Sequence, residues 1–317
     1  MRRAALRSSW FPAGPHQRRQ LRAQLGIALR FVVGVVAEPG AEAQLAAEQV
    51  LYGDILRLPD IKEGYHGLAA KTRAFFALVA ALYPAAPAAS PGPRWVVKVD
   101  DDVWLSPARL RAASLQWSRM AAGYVGCMKH GVVWTEQQSR WGEPQHLLLG
   151  PRYFIHAYGS AYAVAGQVVR EVLGPAAASL RLLANEDTSV GAWMLAHNVK
   201  HFEDMRLCAQ ACHPAAVAVG RPECAGLCDP VNDLVAAQNN TDCTSWGRWD
   251  HVQLQLPNGT RLTSRLKKER AGFVTVAAPS NVTGPVWEWW PMTQIVPGEL
   301  PYLAPYPEHT AFSSMWV

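Results

Sequence analysis

The pattern of apolar and polar positions changes character near residue 206. Before that point, β-branched apolar runs alternate with Ala/Leu/Glu-rich stretches, which predicts strands alternating with helices and an α/β layered architecture. Residues 29–36 are apolar and β-branched, as in a strand covered on both faces. Residues 41–52 read as a helix and 54–56 as a short strand. Residues 65–83 carry Leu68, Phe75, Phe76, Val79 and Leu82 near helical spacing. A Pro/Ala loop at 84–93 cannot hold a helix. A strand over 95–99 then runs directly into three aspartates. It is followed by a helix at 107–117, a strand at 124–128, a Trp-bearing loop region at 134–150, a strand at 158–165 and a helix at 186–198. Beyond residue 206, cysteines, prolines and Trp287-Glu288-Trp289-Trp290-Pro291 replace the βα rhythm, and 253–262 reads as a hairpin turning at Asn258-Gly259. The expected organisation is an α/β catalytic domain over 1–205 and an irregular Cys/Trp-rich region over 206–317 that partly completes it.

Composition narrows the class. Half of the 317 residues are hydrophobic and 17% are charged, which supports a sizeable core and excludes a disordered chain. The net charge of +5 is spread without a basic face. The densest run, Arg265-Leu266-Lys267-Lys268-Glu269-Arg270, reads as a solvated loop or strand end, so no nucleic-acid partner is expected. Five of the six cysteines fall between 208 and 243, near sequons at Asn239, Asn258 and Asn281. This clustering favours disulfides in an oxidising, lumenal compartment. The alternative is a four-thiolate zinc site built from Cys208, Cys212, Cys224 and Cys228. No stretch approaches the roughly 18 apolar residues of a membrane span; the best run, 26–37, is broken by Arg30.

Two acidic clusters carry the candidate chemistry. Asp100, Asp101 and Asp102 end an apolar strand, where like charges repel and raise one another's pKa. A divalent cation removes that penalty. Carboxylate oxygens suit Mg²⁺ or Mn²⁺, and strand C-terminal edges are where open α/β sheets bind ligands. In an extended chain Asp100 and Asp102 point to one side and Asp101 to the other. The second cluster, Asn185-Glu186-Asp187, reads either as an ordinary capped helix start or as a general base brought near the metal.

These segments resemble glycosyltransferase family 31, the β-1,3-galactosyl- and N-acetylglucosaminyltransferases. The resemblance lies in Trp95-Val96-Val97-Lys98-Val99-Asp100-Asp101-Asp102-Val103 and in four further blocks in the same order. These are Arg3-Ala4-Ala5-Leu6-Arg7-Ser8-Ser9-Trp10; Tyr52-Gly53-Asp54-Ile55-Leu56 with Asp60, Tyr65, Leu68, Lys71 and Thr72; Tyr153 to Tyr162; and Asn185 to Trp193. His201-Phe202-Glu203-Asp204 before Cys208, and the later Cys224-x3-Cys228, look most like the plant and algal branch.

The resemblance implies a GT-A, Rossmann-like fold. It also implies an inverting transferase that moves galactose from UDP-galactose to a glycan hydroxyl with Mn²⁺ or Mg²⁺. Asp102 would be the metal ligand, with Asp100 beside it and near the nucleotide-sugar. Asp101, Arg7 and Lys71 would contribute to donor binding. Asp187 would be the base, with Glu186 the next candidate, and His201 or His213 would add a metal ligand. Trp134, Trp141, Tyr158 and Tyr162 could offer flat faces to the acceptor ring. The family's setting is the Golgi lumen, as type II membrane proteins whose anchor and stem are expected outside these 317 residues. Competing readings are N-acetylglucosamine transfer, a Mg²⁺-dependent phosphohydrolase, and an inactive glycan-binding homologue.

Overall fold

The computed structural model describes residues 1–85, 92–136, 138–244, 273–276 and 292–295. The expected hairpin at 253–262, the Trp287–Pro291 run and two of the three sequons lie outside them. The third, Asn239, is exposed.

The chain begins with α1 (Arg2–Arg7) and α2 (Pro15–Leu25). A parallel pair follows: β1 (Phe31–Val35), then the crossover helix α3 (Pro39–Tyr52), then β2 (Ile55–Lys62). Pro39 opens α3, and Gly53 closes it in the left-handed region at φ 63°, a conformation glycine adopts at no steric cost. The register of β1 on β2 shifts beside Gly34, where an added Cβ would stand 2.2 Å from the Ile61 carbonyl oxygen. β2 runs six residues further than the expected strand of 54–56. It crosses Pro59, which is tolerated because the pair has open edges.

A single turn then leads into α4 (Leu68–Leu82) and β3 (Trp95–Val99). After β4 (Trp104–Leu105), α5 (Pro107–Arg119) is capped by Ser106, whose side chain accepts from the Arg109 N–H. β5 (Tyr124–Lys129), the short α6 (His146–Leu149), β6 (His156–Ala165), the short α7 (Gly166–Val168), α8 (Glu186–Ala196) and β7 (His201–Glu203) follow. Next come β8 (Ala218–Val219), which pairs with β4, then α9 (Pro230–Asn239), the short α10 (Thr241–Thr244), β9 (Phe273–Val276) and β10 (Met292–Ile295).

The main sheet has the order β3-β6-β5-β7-β10-β9. β6 is antiparallel to both β3 and β5, β7 is parallel to β5, and β10 and β9 extend the sheet antiparallel. Alternate side chains feed two cores, as the strand period requires. Val125, Ala161 and Ala163 pack with Leu110, Ala113 and Trp117 of α5 on one face. Val96, Tyr124, Tyr162 and Val164 pack with Phe76 and Val79 of α4 and Trp193 and Met194 of α8 on the other. The molecule is therefore a mixed α/β structure with helices on both faces of a mixed sheet.

All six cysteines are paired, as Cys127–Cys208, Cys212–Cys243 and Cys224–Cys228. The zinc alternative is thereby set aside. No helix among the described residues is long and apolar enough to cross a membrane.

Candidate active site

Because β3 and β5 both run antiparallel to β6, their C-terminal ends meet the start of β6 at one end of the sheet. Asp100 leaves β3 there, its N–H donating to the Ser160 carbonyl at 2.9 Å. Lys98, two residues earlier, shares its face. The Lys98 ammonium stands 2.6 Å from Asp100 Oδ1 and 3.7 Å from Glu186 Oε2, and donates to the Gly159 carbonyl. Burial alone would lower the lysine's pKa, but the carboxylates of Asp100 and Glu186 hold it above the ordinary value. One side chain thus joins the two acidic clusters that the sequence singles out.

The start of α8 is held from three directions. Gly191 lets the helix close on β6, since a Cβ there would lie 2.4 Å from His156 Cβ. Glu143, fully buried in the loop before α6, accepts the Ala184 N–H at 2.8 Å and the Gln145 N–H at 2.9 Å. Asn185 makes no capping bond. Its amide instead donates to the Trp141 carbonyl at 3.2 Å, and its oxygen accepts from the Tyr65 hydroxyl at 3.3 Å. The cluster is therefore not an ordinary side-chain cap.

Glu186 is buried and accepts from Thr72 Oγ1 at 2.8 Å and the Tyr162 hydroxyl at 2.5 Å. Burial pushes its pKa above the carboxylate range, opposed by Lys98. For Asp187, burial also acts upward, but Lys129 at 2.9 Å and His156 at 3.8 Å prevail and hold it at about 2. Asp187 is thus ionised throughout the neutral range. Burial keeps His156 neutral, with a pKa of about 4.

Past Asp100 the chain turns, so the three aspartates do not alternate as an extended strand would place them. Asp101 and Asp102 both reach Arg2, at 2.7 and 3.3 Å. Burial, then repulsion from Asp100 and Asp101, pushes Asp102 up to about 6. Asp102 Oδ1 is buried with no hydrogen-bond partner.

The remaining expected site residues lie elsewhere. Arg7 is only 8% exposed; its guanidinium bonds Asp54 twice at 2.8 Å and Glu48 at 2.7 Å, and lies 3.8 Å from the Tyr52 ring centroid. It braces α1 on α3, with its guanidinium turned to Asp54 and Glu48. Lys71 pairs with Glu63 at 2.8 Å, near the ends of β1 and β2, and not with the Asp cluster.

His201 opens β7 opposite Tyr124, on the rung shared by Val164 and Val96. Asp100 lies four residues further along β3, about 13 Å at the rise of a strand. The His201 ring nitrogen is bonded to the Val199 carbonyl at 2.7 Å. His201 is therefore set apart from Asp100 along the sheet. His213 sits beside Arg109, whose guanidinium donates to the His213 carbonyl at 3.1 Å. Of the aromatics, Tyr162 is fully buried and Tyr158 lies under Lys129 at 4.2 Å, while Trp134 and Trp141 remain half-buried.

Sequence reasoning missed Arg2, Lys129, His156 and Glu143, whose relation to the aspartates is purely tertiary. Lys98 was missed too, although its two-residue spacing to Asp100 was a signal that could have found it.

No group of three or more His, Cys, Asp or Glu side chains is gathered into a metal cage among the described residues. Mg²⁺-type sites often need only one or two protein carboxylates, with substrate phosphates completing the shell. Asp102 offers hard carboxylate oxygens, with Oδ2 on the Arg2 side, and fits that donor set.

The family model described as "Galactosyltransferase" matches residues 1–205. "Probable beta-1,3-galactosyltransferase 13" of Arabidopsis thaliana is 38% identical over 77% of this chain and 68% of its own length. "Probable beta-1,3-galactosyltransferase 12" of the same plant is 38% identical over 77% of this chain and 63% of its own length. "Beta-1,3-galactosyltransferase 7", also from Arabidopsis thaliana, is 30% identical over 74% of this chain and 62% of its length.

Proposed function

This chain belongs to the galactosyltransferase family, and on that premise we propose that it is an inverting hexosyltransferase of GT-A type. It moves galactose from UDP-galactose to a glycan hydroxyl in β-1,3 linkage. Residues 1–205 form the catalytic domain, 206–317 partly complete it, and the working compartment is the Golgi lumen. The observation that supports this most is the Lys98 bridge, which brings the strand-end aspartates and the Glu186-Asp187 helix start into one site.

Asp102, with Asp100 beside it, would hold Mn²⁺ or Mg²⁺ against the nucleotide diphosphate. When bound, the ion supplies Lewis-acid neutralisation of the leaving group. Arg2, already on Asp101 and Asp102, adds positive charge on the same side. Asp187 accepts the hydrogen of the acceptor hydroxyl and orients its oxygen for attack from the face opposite the leaving group. At a pKa of about 2 Asp187 is a weak base, so the proton crosses only once the attacking oxygen has gained positive character. Lys129 keeps Asp187 ionised and aimed, with the neutral His156 ring beside it. Glu186, engaged by Thr72, Tyr162 and Lys98, positions the helix start and does not itself meet the acceptor.

The test is UDP release in Mn²⁺ with UDP-galactose, UDP-N-acetylglucosamine and simple β-galactosides. Galactose transfer that Asp102→Ala abolishes is expected. Full transfer by Asp102→Ala would overturn the metal assignment. Release of inorganic phosphate from a simple phosphoester, or sugar binding without UDP release, would overturn the transferase reading.

A further inference from the structure

The small loop closed by the Cys224–Cys228 disulfide lies beyond the stretch matched by the family model, yet it is pressed against Asp102. The Leu227 N–H donates to the Asp102 carbonyl at 2.6 Å. Gly226 faces the carboxylate itself: a Cβ at that position would stand 2.4 Å from Asp102 Oδ1 and 2.6 Å from Cγ. That Oδ1 is the buried, unpartnered oxygen, while Oδ2 turns the other way, toward Arg2. The backbone at Gly226 is not in the left-handed region, so the local conformation does not demand a glycine. What demands it is the carboxylate alongside.

The loop is in turn fixed from behind. Arg221 and Gly226 form an antiparallel bridge, with the Arg221 N–H donating to the Gly226 carbonyl at 2.6 Å. Leu227 is buried in a cluster with Trp104 and Leu234.

We propose that this loop is the positioning element of Asp102. Gly226 and Leu227 lock the carboxylate with Oδ1 covered and Oδ2 presented to the metal–diphosphate. The inference rests on the donor-site reading given above and extends it to residues beyond the stretch matched by the family model. A short ring closed by a disulfide has few conformations, so Asp102 is set before the donor arrives and little ordering is left for binding to supply.

The experiment is calorimetric titration of UDP into the full chain with and without Mn²⁺, together with the Mn²⁺ half-saturation and the thermal midpoint of the unliganded protein. Gly226→Ala is allowed by the backbone and acts only through its methyl group on Asp102. It is expected to weaken Mn²⁺-dependent UDP binding by about 10–100-fold, the usual effect of losing a group that orients a ligand, with little change in the unliganded midpoint. A role in packing alone would lower the midpoint and leave the affinity intact. The double variant Cys224→Ser/Cys228→Ser opens the ring without adding bulk, and should weaken binding in the same direction by a smaller factor. If Gly226→Ala does not fold, this pair decides, and unchanged affinity overturns the proposal. If wild type binds, Asp102→Asn does not, and both loop variants bind normally, the loop inference fails while the donor-site reading stands. Should wild type show no Mn²⁺-dependent UDP binding, the donor-site reading fails first.

Discussion

Replacing Lys98 with methionine keeps the length of the side chain and removes its charge. The ammonium at 2.6 Å from Asp100 and 3.7 Å from Glu186 is lost, together with its bond to the Gly159 carbonyl. Removing one partner of a fully buried ion pair costs about 3–5 kcal/mol. Here Lys98 keeps 24% of its side chain in solvent and Asp100 keeps 38%, while Glu186 keeps only 6%. Screening at the exposed end reduces the expected loss to about 1–3 kcal/mol. That corresponds to a fall of about 2–12 °C in Tm for a domain of this size.

The pH dependence follows from Glu186. Burial already raises its folded-state pKa, and losing Lys98 raises it further. The folded variant then binds a proton that the unfolded chain does not, so its stability falls as pH rises through the new pKa. The deficit against wild type should be greatest at pH 8 and shrink toward pH 5. Thermal unfolding of both proteins from pH 5 to 8 measures this. An unchanged Tm at neutral pH, or a deficit that grows on acidification, would refute the account of Lys98 as the shared counter-charge.

Three further outcomes are expected. Asp187→Asn should lower kcat for transfer by about 10²–10⁴-fold, the usual worth of a general base, with UDP binding near wild type; steady-state kinetics and calorimetry separate the two. Burial depresses His156 and His213 to about 4, so the unfolded chain takes up protons that the folded one refuses below pH 6.5. Stability should therefore fall as pH drops from 6.5 toward 4, by up to about 1.4 kcal/mol per pH unit for each group, as read from denaturant midpoints across that window. Cys127–Cys208 closes a loop with a sequence separation of 81. Cys127→Ser/Cys208→Ser should destabilise by about 4 kcal/mol on chain-entropy grounds, checked by urea unfolding.

Elements whose burial follows a clean period were legible in the sequence. β3 was placed at its observed bounds, and α3, α4, α5 and α8 within a few residues, because each carries an apolar face or continuous apolar run. α2 was not seen because it buries no residue and so presents no stripe to read. β7 was missed for another reason: it has only three residues and exists through its neighbours β5 and β10. The strand-end aspartates and the Glu186-Asp187 pair stood out because their cost is local and visible. Lys129, which sets the charge state of Asp187, and His156, which lies beside it, arrive from β5 and β6 and leave no trace at 187. The disulfide pairing was hidden for a combinatorial reason, since six cysteines allow fifteen arrangements.

Asp102 is supported by residues far apart in the chain, Arg2 and the 226–227 turn. The start of α8 is supported by the middle, through Lys129, Trp141, Glu143 and His156. A change in the 130–152 segment therefore loosens the start of α8 while leaving the support of Asp102 in place. Lys98 is where the two supports meet, so its loss is felt on both sides at once.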